Sequence, residues 1–387
     1  MAKEFDAVIV GCGIAGASLA FFLAERGWRV AVVERAEAAS GGTGASAAIV
    51  RQHYSTRLMA RLALRSVRLF QDAPQRLGRD AGYRPVGYMF LTPPEALAAT
   101  EQNVAMQRDI GIDTRMIGKA ELAALPWLNA EGVAAAACER DGGFADPEIA
   151  TRAFMDAAIE RGAVLMTRTP VRALLRSGNR IEGIETDKAE IAADWTVNAA
   201  GPWASMLAAG AGIKTKMRVV REQDTVWEAR GNRPLPPHSI SNAVDAIYLR
   251  PLGDRRYIVG RGFPKTYADA DPHNFKQTAD QGFITDVQER LTKRIPPFEG
   301  ARLINSYASL YDVTVDWYQY VGPRGDVDGY ADFCGGSGHG FKVAPAIAEE
   351  LAHWLVEGKV ADDFRRLSHD RVANGDLFIQ SYGGNRG

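Results

Sequence analysis

The chain has 387 residues, of which 46 % are hydrophobic and 24 % charged, and 46 basic against 47 acidic side chains leave a formal net charge of −1. This length exceeds one ordinary hydrophobic core, so two domains are expected. Near-neutrality removes the global field that would draw the chain to nucleic acid or an anionic membrane, and no apolar run is long enough to span a bilayer.

At the N-terminus, Glu4 and Asp6 stand where a secretory signal carries positive charge, which gives a cytoplasmic expectation. Phe5 to Val10 (FDAVIV) is a short apolar run that stops at Gly11, the pattern of a buried parallel strand. Ile14 to Arg26 reads as a nearly all-apolar helix with Gly27 as its left-handed stop, and Trp28 to Glu34 (WRVAVVE) as a second buried strand. Together they make one βαβ unit.

Its turn, Gly11-Cys12-Gly13-Ile14-Ala15-Gly16, is G-x-G-x-x-G after a strand and opening a helix. Gly11 allows the tight turn, Gly13 lets backbone approach a pyrophosphate, and Gly16 lets helix and strand pack closely. The helix N-terminus supplies amide donors and partial positive charge. Glu34, eighteen residues after Gly16, is placed to accept hydrogen bonds from both ribose hydroxyls of a dinucleotide and disfavours a 2′-phosphate.

Gly41 to Ala48 (GGTGASAA) is a small-residue loop able to lay backbone amides along an extended cofactor. Pro147 to Arg161 reads as a helix followed by an extended stretch through Val171. Trp195 to Gly201 reads as a strand ending in the turn of Val197 to Ala204 (VNAAGPWA). Ala331 to Gly340 reads as a strand running into glycines, and Ala344 to Glu357 as a helix with Pro345 near its start. The glycines of Cys334 to Lys342 (CGGSGHGFK) let backbone lie against a flat ring, and the following helix can face the negative charge that a reduced flavin carries near N1 and O2. These stretches select FAD over NAD.

Between them, Tyr83 to Ala145 and Met217 to Arg324 have another texture, with alternating strands such as Ala246 to Arg250 and Arg256 to Val259. The expected architecture is α/β: a Rossmann-like FAD-binding domain from residues 1–80, 146–216 and 325–387, with an inserted β-rich substrate domain from 81–145 and 217–324. The tail Tyr382 to Gly387 is expected to be frayed. Three widely spaced cysteines (Cys12, Cys138, Cys334) and six scattered histidines show no metal-ligand or disulfide spacing, so no metal is expected.

From about Asp6 to Leu355 the chain resembles the D-amino-acid oxidase superfamily, closest to its sarcosine oxidase and glycine oxidase branch. The motifs that carry the resemblance are the first glycine turn with Glu34, VNAAGPWA, GSGHGFK, Asp141 to Pro147 (DGGFADP), and Leu310-Tyr311-Asp312 with Asp316 and Gly322. The resemblance implies FAD roofed by the β-rich domain and oxidation of an amine to an imine that hydrolyses. It places Arg51 and Lys342 on a substrate carboxylate and makes Tyr248 and Tyr311 walls of the substrate site. The residues assigned to the cofactor are Gly11, Gly13, Ile14, Ala15, Gly16, Glu34, Arg35, Ala45, Ser46, Ala47, Val171, Ala200, Gly201, Trp203, Gly336, Gly338, His339, Gly340 and Lys342.

Departures from the family pattern carry expectations of their own. Ser309 and Ser46 stand where relatives anchor flavin covalently, so the FAD is expected to be non-covalent. The strand Tyr257 to Arg261 lacks the lysine that sarcosine oxidases hold over the flavin, which leaves oxygen or a redox carrier as electron acceptor. The expected substrate is a small carboxylated amine, an N-substituted glycine of the sarcosine, dimethylglycine or iminodiacetate type. The alternatives are a D-amino-acid or cyclic imino-acid dehydrogenase and a non-catalytic flavoprotein subunit.

Overall fold

A computed structural model describes residues 4–379, and the tail from Tyr382 lies outside them. Phe5–Val10 is the central strand of an eight-stranded sheet, parallel to Val30–Val33 on one side and Glu190–Asn198 on the other. Val164–Met166 extends the first side, and Val327–Cys334 with its antiparallel partner Tyr320–Arg324 extends the second. The hairpin Val171–Ser177 and Arg180–Thr186 continues from Glu190–Asn198.

The period of two along these strands serves two cores at once. Ala7, Ile9, Val30 and Val32 face the helices Ile14–Glu25, Pro147–Ile159 and Gly340–Glu357, where the rings of Phe21, Phe22 and Phe154 meet at 5.1–6.3 Å. Val8, Val10, Ala31 and Val33 face Leu174, Ile181 and Ile184. Both faces are dry, so these strands read as continuous apolar runs.

A second sheet of nine strands runs in the order Ala268–Asp269, Met217–Glu228, Arg256–Arg261, Ile247–Gly253, Ser239–Asn242, Tyr88–Thr92, Ala135–Glu139, Thr114–Ile117, with Arg302–Thr314 along the other side of Met217–Glu228. One face packs Trp227, Leu249 and Val259 against Val287 and Leu291 of the helix Gln281–Arg294. The register sets the opposite face. Asp224 lies beside Gly260 and Tyr307, Gly260 beside Tyr248, Tyr248 beside Ser241, and Ser241 beside Phe90. This polar row roofs the site described below.

Several elements differ from expectation. Asp6 accepts a hydrogen bond from the Arg29 amide at 2.7 Å, so the second strand begins at Val30, and it ends one residue before Glu34. The first helix ends at Glu25, with Gly27 at φ +80° beyond it. The helix from Pro147 stops at Ile159 rather than Arg161, and the extended stretch after it holds the strand Val164–Met166, with a further strand beginning at Val171. The third motif's strand is Val327–Cys334, and its helix starts four residues early, at Gly340. Pro345 therefore sits inside that helix. Pro345 has no amide N–H to donate, and the next amide, that of Ala346, donates to Ser66 Oγ at 3.1 Å. The amphipathic helix Arg57–Gln71, capped by Thr56, and the helix Leu97–Asp109 are additional to the expected elements. Among the described residues no helix is long and apolar enough to cross a membrane.

Candidate active site

One cavity of about 700 Å³ runs from the first glycine turn, past the loop 41–48, to the roof sheet and the turn 335–340. Every residue assigned above to cofactor or substrate lines it except Gly16. A Cβ on Gly16 would strike the Gly11 carbonyl, so that glycine serves the close packing of helix on strand.

At the first turn Gly11 has φ +104° and lies against the Ala199 carbonyl. The helix Ile14–Glu25 has no cap of its own, and the Ile14 amide is met instead by Thr43 Oγ1 at 3.2 Å from the small-residue loop. Glu34 accepts from the amides of Cys12 and Ala36, both at 2.9 Å, which fixes its carboxylate across the turn. The Arg35 guanidinium lies 3.6 Å over the Trp203 ring. The indole N–H of Trp203 is buried and has no partner among the described residues. Ser46 Oγ accepts from the Ala48 amide at 2.9 Å.

At the far turn, Gly335 and Gly338 adopt φ of +76° and +78°. Asp312 holds this turn: its carboxylate accepts from the Gly335 amide at 2.7 Å and its carbonyl from the Ser337 amide at 3.1 Å. A Cβ on Gly338 would enter the Tyr311 ring, so the Leu310-Tyr311-Asp312 and GSGHG motifs form one packed unit. His339 Nε2 lies 2.6 Å from the Trp317 carbonyl and must donate to it, so Nδ1 accepts from Tyr54 Oη at 3.2 Å. Burial, reinforced by Lys342, pulls the His339 pKa down to about 3 and keeps the imidazole neutral.

Arg51 follows the short strand Ile49–Val50 and is nearly buried. Its guanidinium reaches the His53 carbonyl and lies 4.5 Å from the centre of the Tyr54 ring. Lys342, in the first turn of Gly340–Glu357, is equally buried, and its ammonium makes no hydrogen bond or ion pair among the described residues. Burial, then the Arg51 charge, holds the Lys342 pKa well below the usual lysine range. Two cations that destabilise one another in a dry site form a receptor for an anion.

The roof adds residues that sequence reasoning missed. Tyr248 Oη donates to Asp224 Oδ1 at 2.7 Å, and Gly260 lies between them: a Cβ there would strike both groups. Glu222 pairs with Lys265, both nearly buried. Burial pushes the Asp224 carboxyl up to about 7 and the Tyr248 and Tyr311 phenols well above their usual range. The available signal was Glu222-Gln223-Asp224, two acids two residues apart on a strand, hence on one face. Behind Arg51, Glu139 is fully buried and accepts from the Gln52 amide at 2.7 Å.

A family model described as "FAD dependent oxidoreductase" (DAO) matches residues 6–354. The chain belongs to this family.

Among curated proteins, the oxidoreductase is 29 % identical to FAD-dependent oxidoreductase domain-containing protein 1 of Bos taurus, over 92 % of this chain and 82 % of that protein. It is 27 % identical to glycine oxidase of Geobacillus kaustophilus, over 96 % and 98 %. Among solved structures, L-proline dehydrogenase from P. horikoshii superposes with a TM-score of 0.88 at 29 % identity, covering 98 % of this chain and all of that one.

The oxidoreductase's own residues fit FAD. Two helices begin without side-chain caps at the cavity wall, at Gly13 and His339, and so present amide donors to anionic groups. The orphaned Trp203 indole lies on the same wall. Neither Ser46 nor Ser309, which also lines the cavity, carries a thiol or imidazole that could bond a flavin.

Proposed function

We propose that this oxidoreductase removes a hydride from the carbon beside the nitrogen of a small amine that carries a carboxylate, with an N-substituted glycine of the sarcosine, dimethylglycine or iminodiacetate type as substrate. The observation that carries the reading is the pair of buried cations, Arg51 and Lys342, at one cavity. A carboxylate bound there relieves their repulsion and restores the lysine's charge. Arg51 supplies a planar two-donor fork, and Tyr54 and the His53 carbonyl hold that fork in place. Tyr248 and Tyr311 stay neutral and limit the space above the bound amine. Most of the rate enhancement then comes from positioning. FAD, when bound without a covalent link, would supply a two-electron acceptor at this site, with oxygen or a redox carrier as the final acceptor.

This reading includes a division of labour. Of the expected pieces, residues 1–80, 146–216 and 325 onward hold the cofactor and 81–145 with 217–324 form the substrate roof, except that Tyr320–Arg324 pairs with Val327–Cys334 in the cofactor-side sheet. A second reading, a cyclic secondary amine acid, is favoured by the likeness to L-proline dehydrogenase over nearly the whole chain.

The test is anaerobic flavin bleaching against N-alkyl glycines, cyclic imino acids, D-amino acids and their carboxamides. Bleaching by a carboxylated secondary or tertiary amine, with the carboxamide at least tenfold slower, is the expected result. If no amine bleaches the holoenzyme, the reading fails.

A further inference from the structure

At neutral pH the substrate proposed above is a zwitterion, and its ammonium has no lone pair to assist departure of a hydride from the neighbouring carbon. A proton must first leave the nitrogen. Arg51 and Lys342 hold none of the negative charge that would attract that ammonium, and neither belongs to the roof sheet. Four carboxylates line the cavity: Glu34, Glu222, Asp224 and Asp312. Glu34 is engaged by the amides of Cys12 and Ala36, Asp312 by that of Gly335, and Glu222 by Lys265. Asp224 alone of the four is held by a neutral phenol, that of Tyr248, and has no ion-pair partner among the described residues.

Other bases on the wall are unsuited. Both nitrogens of His339 are committed, to Trp317 and Tyr54. His273 lies at the cofactor end, edge-on to Trp203 at 6.4 Å. Lys342 regains its proton once a carboxylate sits beside it and Arg51.

We propose that Asp224 is the proton acceptor for the substrate ammonium, with Tyr248 and Gly260 holding its carboxylate toward the cavity. The inference rests on the amine-oxidising reading. An N–H bond of the ammonium breaks, its electron pair stays on nitrogen, and the proton goes to an Asp224 carboxylate oxygen. With its lone pair free, the neutral amine could give up a hydride, for which bound FAD would supply the two-electron acceptor, the lone pair becoming the second C–N bond. Asp224 would return its proton to water after the product leaves.

The groups around Asp224 are consistent with a poised base. Burial raises its pKa, Tyr248, Lys265 and Arg250 lower it, and Glu222 on its own strand raises it, with a balance near 7. Tyr307 and Tyr311 on the neighbouring strand are neutral phenols.

The experiment uses holoenzyme and whichever amine bleaches it in the panel above, following the second-order rate constant of anaerobic flavin reduction from pH 5 to 10. In the wild type this constant should fall tenfold per unit below about pH 7. Asp224→Asn should lose the bend near pH 7, run about a hundredfold or more slower there, and keep rising with pH through that point as the free amine forms. Tyr248→Phe keeps the carboxylate but removes a bond that favours its charged form, so its limb should move to higher pH. Retention by Asp224→Asn of the bend near pH 7, or a rate at pH 7 within threefold of wild type, overturns the proposal while the amine-oxidising reading stands. Should Asp224→Asn fail to fold or load FAD, an unmoved limb in Tyr248→Phe overturns it instead. If no amine reduces the wild-type flavin, the amine-oxidising reading itself is what has failed.

Discussion

Tyr54 and His339 are 285 positions apart in the chain, yet the Tyr54 hydroxyl meets His339 Nδ1 at 3.2 Å, with both side chains almost wholly buried. Because His339 Nε2 is spent on the Trp317 carbonyl, that hydroxyl is the donor that completes the neutral imidazole at the start of the helix Gly340–Glu357. Tyr54→Phe leaves Nδ1 buried without a donor, and should cost about 1–3 kcal/mol of stability in denaturant unfolding. Nitrogen NMR of labelled histidine should show His339 as the neutral Nε2–H tautomer down to pH 5, since its pKa is near 3. A protonated imidazole at that pH would contradict this account.

Glu34 already ties the first turn together through two amides. Its replacement by glutamine removes the negative charge available to a ribose, so FAD should bind roughly ten- to a hundredfold more weakly, from the ~1.5–3 kcal/mol of a charge-assisted hydrogen bond. Equilibrium dialysis followed by flavin absorbance measures the change. Acid precipitation of the wild type should release its flavin, and a peptide carrying the mass of FAD would refute non-covalent binding.

Arg51→Met keeps an apolar stem and loses the fork. We expect normal FAD content and a loss of ~2–4 kcal/mol in transition-state binding for a carboxylated amine, roughly a 30- to 1000-fold fall in kcat/KM. The matching carboxamide should be far less affected. Equal losses for acid and amide would remove the carboxylate clamp and reassign Arg51 to the cofactor.

Glu139 gives a pH prediction of known sign. Burial raises its folded pKa to about 7, against about 4.3 when unfolded. The folded state therefore keeps its proton longer, and the stability this contributes is complete below the unfolded pKa and lost as pH rises to about 7. The loss is roughly 3 kcal/mol over that window. Glu139→Gln cannot ionise there, so the stability difference between wild type and variant should narrow by that order from pH 4.5 to 7.5 in urea titrations. A difference that does not change with pH would rule out a protonated Glu139.

How much of this molecule can be read from its chain follows the distance over which each feature is decided. The unit Phe5 to Glu34 is legible because a strand, a glycine turn, an apolar helix and a second strand are each set by neighbours within a few residues. The glycine turn before Lys342 is legible for the same reason. The start of its helix is not legible, because Pro345 reads as a first-turn residue, whereas the helix runs through it and the next amide, that of Ala346, donates to the Ser66 hydroxyl 280 positions away. Arg51, Tyr248, Tyr311 and Lys342 were found through motif resemblance, not through any local pattern that brings them together.

What only the tertiary structure decided is the wall those residues face. Glu222 and Asp224 look in sequence like the polar side of an exposed strand. The register that sets Asp224 beside Gly260, and Gly260 beside Tyr248, turns that side inward over the cavity. Lys265 then neutralises one acid, and a glycine thirty-six residues along the chain makes room for a phenol to reach the other. Strand alternation says which residues share a face, but not whether that face meets water or a neighbouring layer. That choice belongs to the packing of two sheets whose strands come from distant parts of the chain.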